Sequence, residues 1–511
     1  MNTGAAREPH RGLITVCVML ATVMQALDTT IANVALPYMQ GSLSVSIDQV
    51  SWVLTSYIVA AAIMTAPAGW LAVRFGRKPI FIISAIGFTA ASVLCGAAQG
   101  ITDMVLYRLL QGVFGAALVP LSQAVMMDIF PAEKRGQAMA IWGMGVMLGP
   151  IMGPTLGGWL TEYYSWRWVF LINLPFGIAT VLGLMAFMPD SPPRKMGFDW
   201  FGFATLSIAI GMFQLMLDRG ETLSWFESPE VVVEAIVSGA AAYLFLAHTL
   251  TARKPFIPIA IFRDWNFTLG VGFMFIVGVL ILATVALITP FLQNVMGMPV
   301  LDAGFLLGTR GVGTMASMIV VGKLLRVIDA RILIAIGMGL STWSLWVMSA
   351  ITPDMSTFTI VWTSVVQGIG MGLIFVPLNT VAFATLPAEL RTEGTAVWTL
   401  IRNLGSSIGV SIVIAELTST TTVMHARIAE LMTPFNLGIQ LNPNPLMDAS
   451  TPAGAAFIDR MVTDQAAIIS YQNDFLMMAL MGALCLPLIF AFRRYKPRAE
   501  ARAPAVAAVA D

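Results

Sequence analysis

The sequence predicts an all-α membrane protein of fourteen transmembrane helices, arranged as two six-helix bundles with two further helices inserted between them. Three observations carry this. The 511 residues are 57% hydrophobic and only 11% charged, whereas a water-soluble domain carries roughly 25% charge. Apolar runs of the ~20 residues needed to cross a hydrocarbon core recur along the chain between short joints rich in Arg, Lys, Pro and Gly. One sequence pattern also occurs twice, about 255 residues apart.

Hydropathy places the first six helices near 13–36, 51–72, 79–98, 104–127, 137–161 and 168–188. The run from Leu13 to Leu36 is too long for a signal-peptide core and contains Asp28 and Asn33, so it reads as a retained helix. Helices 7 and 8 fall near 200–217 and 231–250. The last six fall near 266–292, 303–322, 332–351, 358–380, 396–417 and 474–492. The domains expected are an N-terminal tail (1–12), a first bundle (13–190), the inserted pair with its linkers (191–264), a second bundle (265–492) interrupted by an outer loop (418–473), and a C-terminal tail (493–511).

Basic residues orient the helices. Joints holding Arg74, Arg77 and Lys78; Lys134 and Arg135; Arg194 and Lys195; Arg253, Lys254 and Arg263; Lys323, Arg326 and Arg331; and Arg391 alternate with joints nearly free of them. The tails add Arg7, Arg11, Arg493, Arg494, Lys496, Arg498 and Arg502 to the same side. Four arginines, Arg167, Arg219, Arg427 and Arg460, fall opposite, and the positive-inside rule puts the lysine-bearing side in the cytoplasm. Both termini are therefore expected there. Cys17, Cys95 and Cys485 lie in apolar runs without ligand spacing, and His10, His248 and His425 are scattered, so no metal or disulfide is expected. No Gly-rich loop ending in Lys-Ser or Lys-Thr is present, which argues against ATP as the energy source. No nucleic-acid partner is expected.

The repeat is visible within the chain. Phe130-Pro131-Ala132-Glu133-Lys134-Arg135 after helix 4 corresponds to Leu386-Pro387-Ala388-Glu389-Leu390-Arg391 after helix 12, and a Gln-Gly pair, Gln111-Gly112 or Gln367-Gly368, lies 20 residues ahead of each proline. Gly69-Trp70-Leu71 with Arg74, Arg77 and Lys78 likewise corresponds to Gly322-Lys323-Leu324 with Arg326 and Arg331. Six spans fill only about 200 residues at ~20 per span plus joints, so the offset leaves room for the inserted pair. Duplicated halves with a site between them near the midplane suit a rocking transporter better than a receptor or membrane enzyme.

A series of motifs resembles the fourteen-helix drug:proton antiporters of the major facilitator superfamily, the EmrB/QacA type. Helix 1 has Leu27-Asp28-Thr29-Thr30-Ile31-Ala32-Asn33-Val34-Ala35-Leu36-Pro37, and the joint after helix 2 has Gly69, Leu71, Arg74, Gly76, Arg77 and Lys78. Helix 4 has Tyr107-Arg108 with Gln111-Gly112. Helix 5 has Gly145, Gly149, Pro150, Gly153, Pro154, Gly157 and Gly158 in antiporter-type spacing, and Trp166-Arg167-Trp168, Asn173, Pro175 and Gly177 follow. The acid usual in the joint after helix 2 is replaced by Val73. The resemblance covers nearly the whole chain and implies the major facilitator fold and proton-coupled efflux, with protons as coupling ion and no cofactor.

Within that frame Asp28 stands out, because a carboxylate inside a span costs ~2.5–3.5 kcal/mol on insertion scales and is usually functional. Its alternative is a structural carboxyl satisfied by Asn33 or threonine hydroxyls. The fold implies that Arg108, near the outer end of helix 4, faces the same cavity as Asp28, where its charge would act on the carboxyl; snorkelling to the interface is its other reading. Glu416, in outer helix 13 where QacA-like relatives carry acids, is the third proton-coupling candidate, or else an interfacial glutamate. Asn33, Gln111, Arg310 and Arg402 are candidates for the substrate cavity. Asp128, at the inner end of helix 4, is placed to pair with Arg74 or Arg77 and close an inner gate with Gly69, Gly76 and Lys78. The helix 5 glycines, four apart, form a face on which a neighbouring backbone can approach, while Pro150 and Pro154 remove ladder hydrogen bonds. The 33 Met and 29 Phe offer soft surface to varied apolar shapes.

From Thr418 to Asn473 the chain is hydrophilic, with Phe457, Ile458, Met461, Val462, Ile468 and Ile469 at helical spacing. This is an amphipathic helix, lying on the outer leaflet or docking a partner. The expected function is efflux of hydrophobic or amphipathic compounds across a bacterial inner membrane, with membrane lipid and apolar small molecules as partners. The resemblance further implies a periplasmic EmrA-like adaptor and an outer-membrane channel. Rival readings are an exporter of one endogenous metabolite and a non-transporting sensor or scaffold; a membrane enzyme would need clustered ligands.

Overall fold

A computed structural model describes residues 11–131, 134–194, 197–432 and 451–493. Glu133, Lys195, residues 433–450 of the outer segment and nearly all of both tails lie outside the described residues. Fourteen helices are long and apolar enough to cross a membrane. They are α1 Arg11–Leu43, α2 Gln49–Phe75, α3 Arg77–Ala97, α4 Ile101–Ile129, α5 Arg135–Tyr163, α6 Trp168–Phe187, α7 Trp200–Arg219, α8 Pro229–Thr251, α9 Trp265–Val295, α10 Asp302–Leu324, α11 Ala330–Met348, α12 Thr357–Ala384, α13 Arg391–Leu431 and α14 Pro452–Ala491. Large apolar side chains such as Leu182, Met185, Tyr243, Leu250, Trp346 and Leu484 are exposed on their outer faces, as lipid contact demands.

The packing repeats with a step of eight helices. In the first half α1 packs on α5, α2 on α4, α3 on α4 and α3 on α6. In the second half α9 packs on α13, α10 on α12, α11 on α12 and α11 on α14. The two halves meet along α5 with α10 and α2 with α13. The inserted α7 packs on α2 and α13, and α8 covers α7 from outside, with Ser238 Oγ donating to Ala209 O at 2.9 Å.

Two glycine contacts fix the register of the repeat. A side chain at Gly112 would meet the carbonyl of Tyr57, and one at Gly368 would meet the carbonyl of Arg310. These two Gln-Gly steps let α4 lie against α2 and α12 against α10 at backbone distance.

Helix α5 packs on both sides. Its glycines lie on α1, where a Cβ at Gly149 would overlap the Ala26 carbonyl and one at Gly153 would overlap the Thr30 hydroxyl. Thr30 Oγ1 in turn donates to Gly149 O at 2.9 Å. The opposite face of α5 lies on α10, with Gly308 and Gly311 against Ile151, and Gly304 against Pro154 and Thr155. The helix continues through Pro150 and Pro154.

Helices α13 and α14 are longer than hydropathy predicts. The 41 residues of α13, at ~1.5 Å per residue, extend well beyond a ~30 Å hydrocarbon core. The amphipathic stretch 457–469 is continuous with the last span rather than a separate interfacial helix. No Pro or Gly between Gly454 and Gly482 breaks it. Thr421 Oγ1 donates to Ser470 Oγ at 3.0 Å, and His425 Nε2 lies 3.1 Å from Asp459 Oδ1, so the extensions form a two-helix stalk.

Gly149→Val is expected to lower the thermal unfolding midpoint of the detergent-solubilised chain, with an overpacking cost of ~1–3 kcal/mol. Gly158→Ala, where the nearest atom, Val34 Cγ1, is 4.0 Å away, is expected to leave it unchanged. Equal midpoints for the two variants would contradict the α1–α5 seam.

Candidate functional site

Asp28 is fully buried in the first half, seventeen residues into α1. Its Oδ2 accepts from Arg108 Nη1 at 2.7 Å. Its Oδ1 accepts from Gln111 Nε2 at 2.8 Å and from Asn173 Nδ2 at 3.1 Å. Arg108, 1% exposed, also donates through Nε to Val53 O at 3.0 Å and through Nη1 to Gln111 Oε1 at 2.8 Å. Its guanidinium lies over the Tyr57 ring at 4.2 Å, within cation–π range. Four helices supply these groups: α1 the acid, α4 the cation and Gln111, α6 Asn173, and α2 the Tyr57 ring and Val53 carbonyl.

A further layer holds the donors in place. Ser92 of α3 accepts from Asn173 Nδ2 at 3.0 Å and donates to Phe170 O at 2.8 Å. Gln25 Nε2 donates to the Tyr57 hydroxyl at 3.1 Å. Asn33 is exposed and is not among the partners of Asp28. A buried carboxylate is tolerated when a cation and hydrogen-bond donors satisfy its oxygens, and all three donors here suit the ionised acid.

The second half carries the same arrangement without the charges. Gln367, the repeat equivalent of Gln111, donates through Nε2 to Thr284 Oγ1 at 3.2 Å. The hydroxyl of Thr284 contacts Met478 Sδ of α14 at 4.0 Å, and α14 corresponds to α6. A threonine thus stands where the first half has Asp28, and a methionine where it has Asn173. Of the other polar candidates, Arg310 Nη1 approaches Ile281 O at 3.4 Å, and Arg402 contacts Asn403 Oδ1 through Nη2 at 3.2 Å. Neither makes an ion pair among the described residues. Glu416 is exposed on α13 and accepts from Thr420 Oγ1 at 2.8 Å.

At the basic end of the bundle the halves are joined. Asp128 pairs with Arg77 of its own half, and Arg391 Nη1 of the other half lies 3.7 Å from its Oδ1. Arg77 Nη2 also donates across the boundary to Thr392 Oγ1 at 2.8 Å. Gly69 lies against the Glu393 backbone. Lys78 pairs with Asp190 at 3.1 Å, Gly76 holds a positive φ of 94° between α2 and α3, and the Arg74 guanidinium lies over Phe75 rather than on Asp128. Deeper in, Gln123 Nε2 donates to Asn379 Oδ1 at 2.6 Å. Each of these two residues lies 8 positions ahead of its Pro131 or Pro387, so repeat-equivalent side chains meet at the axis between the halves. Trp142 stacks on Phe375 beside them, with centroids 5.8 Å apart.

The sequence pattern of the Major Facilitator Superfamily matches residues 18–410. The chain belongs to that superfamily. Within the superfamily it is 32% identical over 483 residues to the multidrug export protein EmrB of Escherichia coli (strain K12), with 94% of each chain covered. It is also 30% identical to the fatty acid resistance protein FarB of Neisseria gonorrhoeae, over 93% of this chain and 95% of that one. Among solved structures it is similar to the superfamily's proton:xylose symporter XylE, with a TM-score of 0.60 at 14% identity over 94% of this chain and 96% of that one. This superfamily protein is therefore an EmrB-type, multi-pass membrane protein.

Sequence reasoning singled out Asp28, Arg108 and Gln111, but it gave Asn173 no role at the site and passed over Tyr57, Ser92 and Asp474. The free cysteines are buried, and no metal-binding cluster is present among the described residues.

A double-mutant cycle tests the charge pair. Asp28→Asn and Arg108→Met are each expected to destabilise the detergent-solubilised chain by ~3–5 kcal/mol, since each strands the partner or its donors. The double variant is expected to lose clearly less than the sum. Simple additivity would show that the two groups do not act as a pair.

Proposed function

We propose that this chain is a proton-driven exporter of hydrophobic or amphipathic compounds, with Asp28 as the group that binds the driving proton. The observation that carries this reading is the closed, fully buried cage of Asp28, Arg108, Gln111 and Asn173. Its similarity to a multidrug export protein along almost its full length supports the substrate class.

The cage makes proton binding and movement inseparable. Protonating Asp28 removes the counter-charge of Arg108, and a buried guanidinium without its partner is strongly unfavourable. The proton is therefore accepted only together with a shift that lets Arg108 find other acceptors or water. Asp28 lies between Ala26 and Thr30, α1 residues seated on Gly149 and Gly153 of α5, and α5 carries the contact with α10 of the other half. A displacement of α1 is thus passed to the interface between the halves.

The positive-inside rule puts the basic end in the cytoplasm, so both termini and the Arg77–Asp128–Arg391 cluster lie inside. The halves here are joined at that end, and Asp28 is held charge-paired within the first half. Each inward proton contributes ~2.3 kcal/mol per 100 mV of membrane potential. The stalk of α13 and α14 then projects outward from the inner membrane, where we assign it as the docking site of a periplasmic adaptor leading to an outer-membrane channel. A narrower reading, export of one class of amphiphile, draws support from the similarity to a protein named for fatty acid resistance.

In proteoliposomes, substrate addition is expected to drive proton movement through the wild-type chain, and Asp28→Asn is expected to lower coupled transport by about tenfold or more. Coupled transport at the wild-type rate by Asp28→Asn would overturn the assignment. A competition panel of fatty acids against unrelated apolar drugs separates the narrow reading from the broad one.

A further inference from the structure

The second half also contains a buried acid, and its surroundings are the opposite of those of Asp28. Asp474 of α14 is 0% exposed, and neither of its carboxyl oxygens has a hydrogen-bond partner among the described residues. It is not part of an ion pair among them. On its own helix Tyr471, one turn earlier, is buried with its ring against Phe291 of α9 at 5.2 Å, and Phe475 and Met478 are fully buried. Gln472 spends its amide on Ile351 O, at the end of α11, at 2.8 Å. The titratable group that acts on Asp474 is Glu416 of α13, and Asp474 in turn acts on Tyr471. Glu416 is itself a carboxylate.

This chain shows what a buried carboxylate requires, since Asp28 receives a guanidinium and two amide donors. Asp474 receives none of these, and its charged neighbour has the same sign. An ionised carboxylate in such a place would keep neither hydration nor a partner, and two nearby acids resist ionising together. The neutral acid avoids both costs.

We propose that Asp474 is a second proton-binding site: its carboxyl is protonated in this conformation and exchanges that proton with water at the end of the bundle opposite the basic joints. The exchange makes and breaks only O–H bonds, with the proton passing between carboxyl oxygens and water. Glu416, the charged group that acts on Asp474, is exposed on α13. The occupancy of the site stands on the complete burial of Asp474 and its lack of hydrogen-bond partners among the described residues. Its contribution to transport rests on the proton-driven reading above.

Infrared spectroscopy of the full-length chain in nanodiscs at neutral pH tests occupancy directly. A protonated-carboxyl C=O band is expected in the wild type and in Asp28→Asn, and its loss is expected in Asp474→Asn, which mimics the neutral acid in shape. An identical band in wild type and Asp474→Asn would overturn the proposal. Should that variant fail to fold, the wild type alone decides: dicyclohexylcarbodiimide, which attacks protonated carboxyls in apolar surroundings, is expected to label Asp474, as read by mass spectrometry. Absence of the adduct would overturn the site. In proteoliposomes Asp474→Asn is expected to export with fewer protons exchanged per substrate than the wild type, whereas Asp28→Asn loses coupled export. If Asp28→Asn transports normally, the proton-driven reading fails while the band and the adduct still report on Asp474.

Discussion

The Asp28–Arg108 pair is the constraint on which the first half depends. Two opposite charges with almost no solvent exposure are stable together only while each keeps its hydrogen bonds, because the surrounding dielectric neither screens nor replaces them. Satisfying them takes Gln111 from α4, Asn173 from α6, the Val53 carbonyl and Tyr57 ring from α2, and Ser92 from α3 to hold Asn173. Four of the six helices of the half contact the pair directly and a fifth supports it. Helix α5, the sixth, makes its contribution through the glycine seam that holds α1.

That seam ties the buried pair of one half to the contact between the halves. The face of α5 on α1 is backbone against backbone, with the Thr30 hydroxyl bonded to the Gly149 carbonyl, so little side-chain slack separates a shift of α1 from a shift of α5. Its other face meets α10 through Ile151 against Gly308 and Gly311, another interface short of flexible side chains. At the basic end the halves meet through longer groups, Arg77, Asp128, Arg391 and Thr392. Partly exposed ion pairs are worth only ~0–1 kcal/mol. The basic-end joint can therefore open at modest cost, whereas the glycine seams hold. Rocking about a fixed α1–α5–α10 stack is the motion this distribution of strong and weak contacts permits.

Much of the architecture was legible because membrane insertion writes itself along the chain. Fourteen apolar runs, the alternation of basic joints and the doubled Gln-Gly and Pro-Ala-Glu patterns are local features. Asp28 was legible for the same reason, as a charge in an apolar run. Asn173, Tyr57 and Ser92 were not, because a neutral polar side chain in a span is unremarkable until the fold brings it to a charge. The basic-end joint shows the limit in another form: Asp128 pairs with Arg77, one of the two partners expected, but Arg391, the repeat equivalent of Arg135, also reaches it from 263 residues away, and only the packing of one half on the other brings it there. Asp474 was obscured by its neighbours, since Asp459, Arg460 and Asp464 made the preceding stretch read as a separate surface helix and put Asp474 at a helix end.

The two halves keep a common backbone and diverge in how they handle polarity. Gln111 and Gln367 make the same reach toward the first helix of their halves, to a carboxylate in one and a hydroxyl in the other. Replacing Asp28 with Thr284 removes the need for a cation, and the second half places none on Gln367. Yet it is not free of acids, because Asp474 lies one turn further out on the helix that supplies Met478, near Glu416 and the base of the stalk. A duplicated scaffold has thus placed two buried carboxyls at two depths, one locked by a guanidinium and one without a partner among the described residues. A charge that is locked resists a proton until the bundle moves, whereas an acid without a partner holds one at rest. The same fold therefore holds two buried carboxyls in opposite surroundings, and that difference arises from which side chains the repeat retained rather than from any difference in backbone.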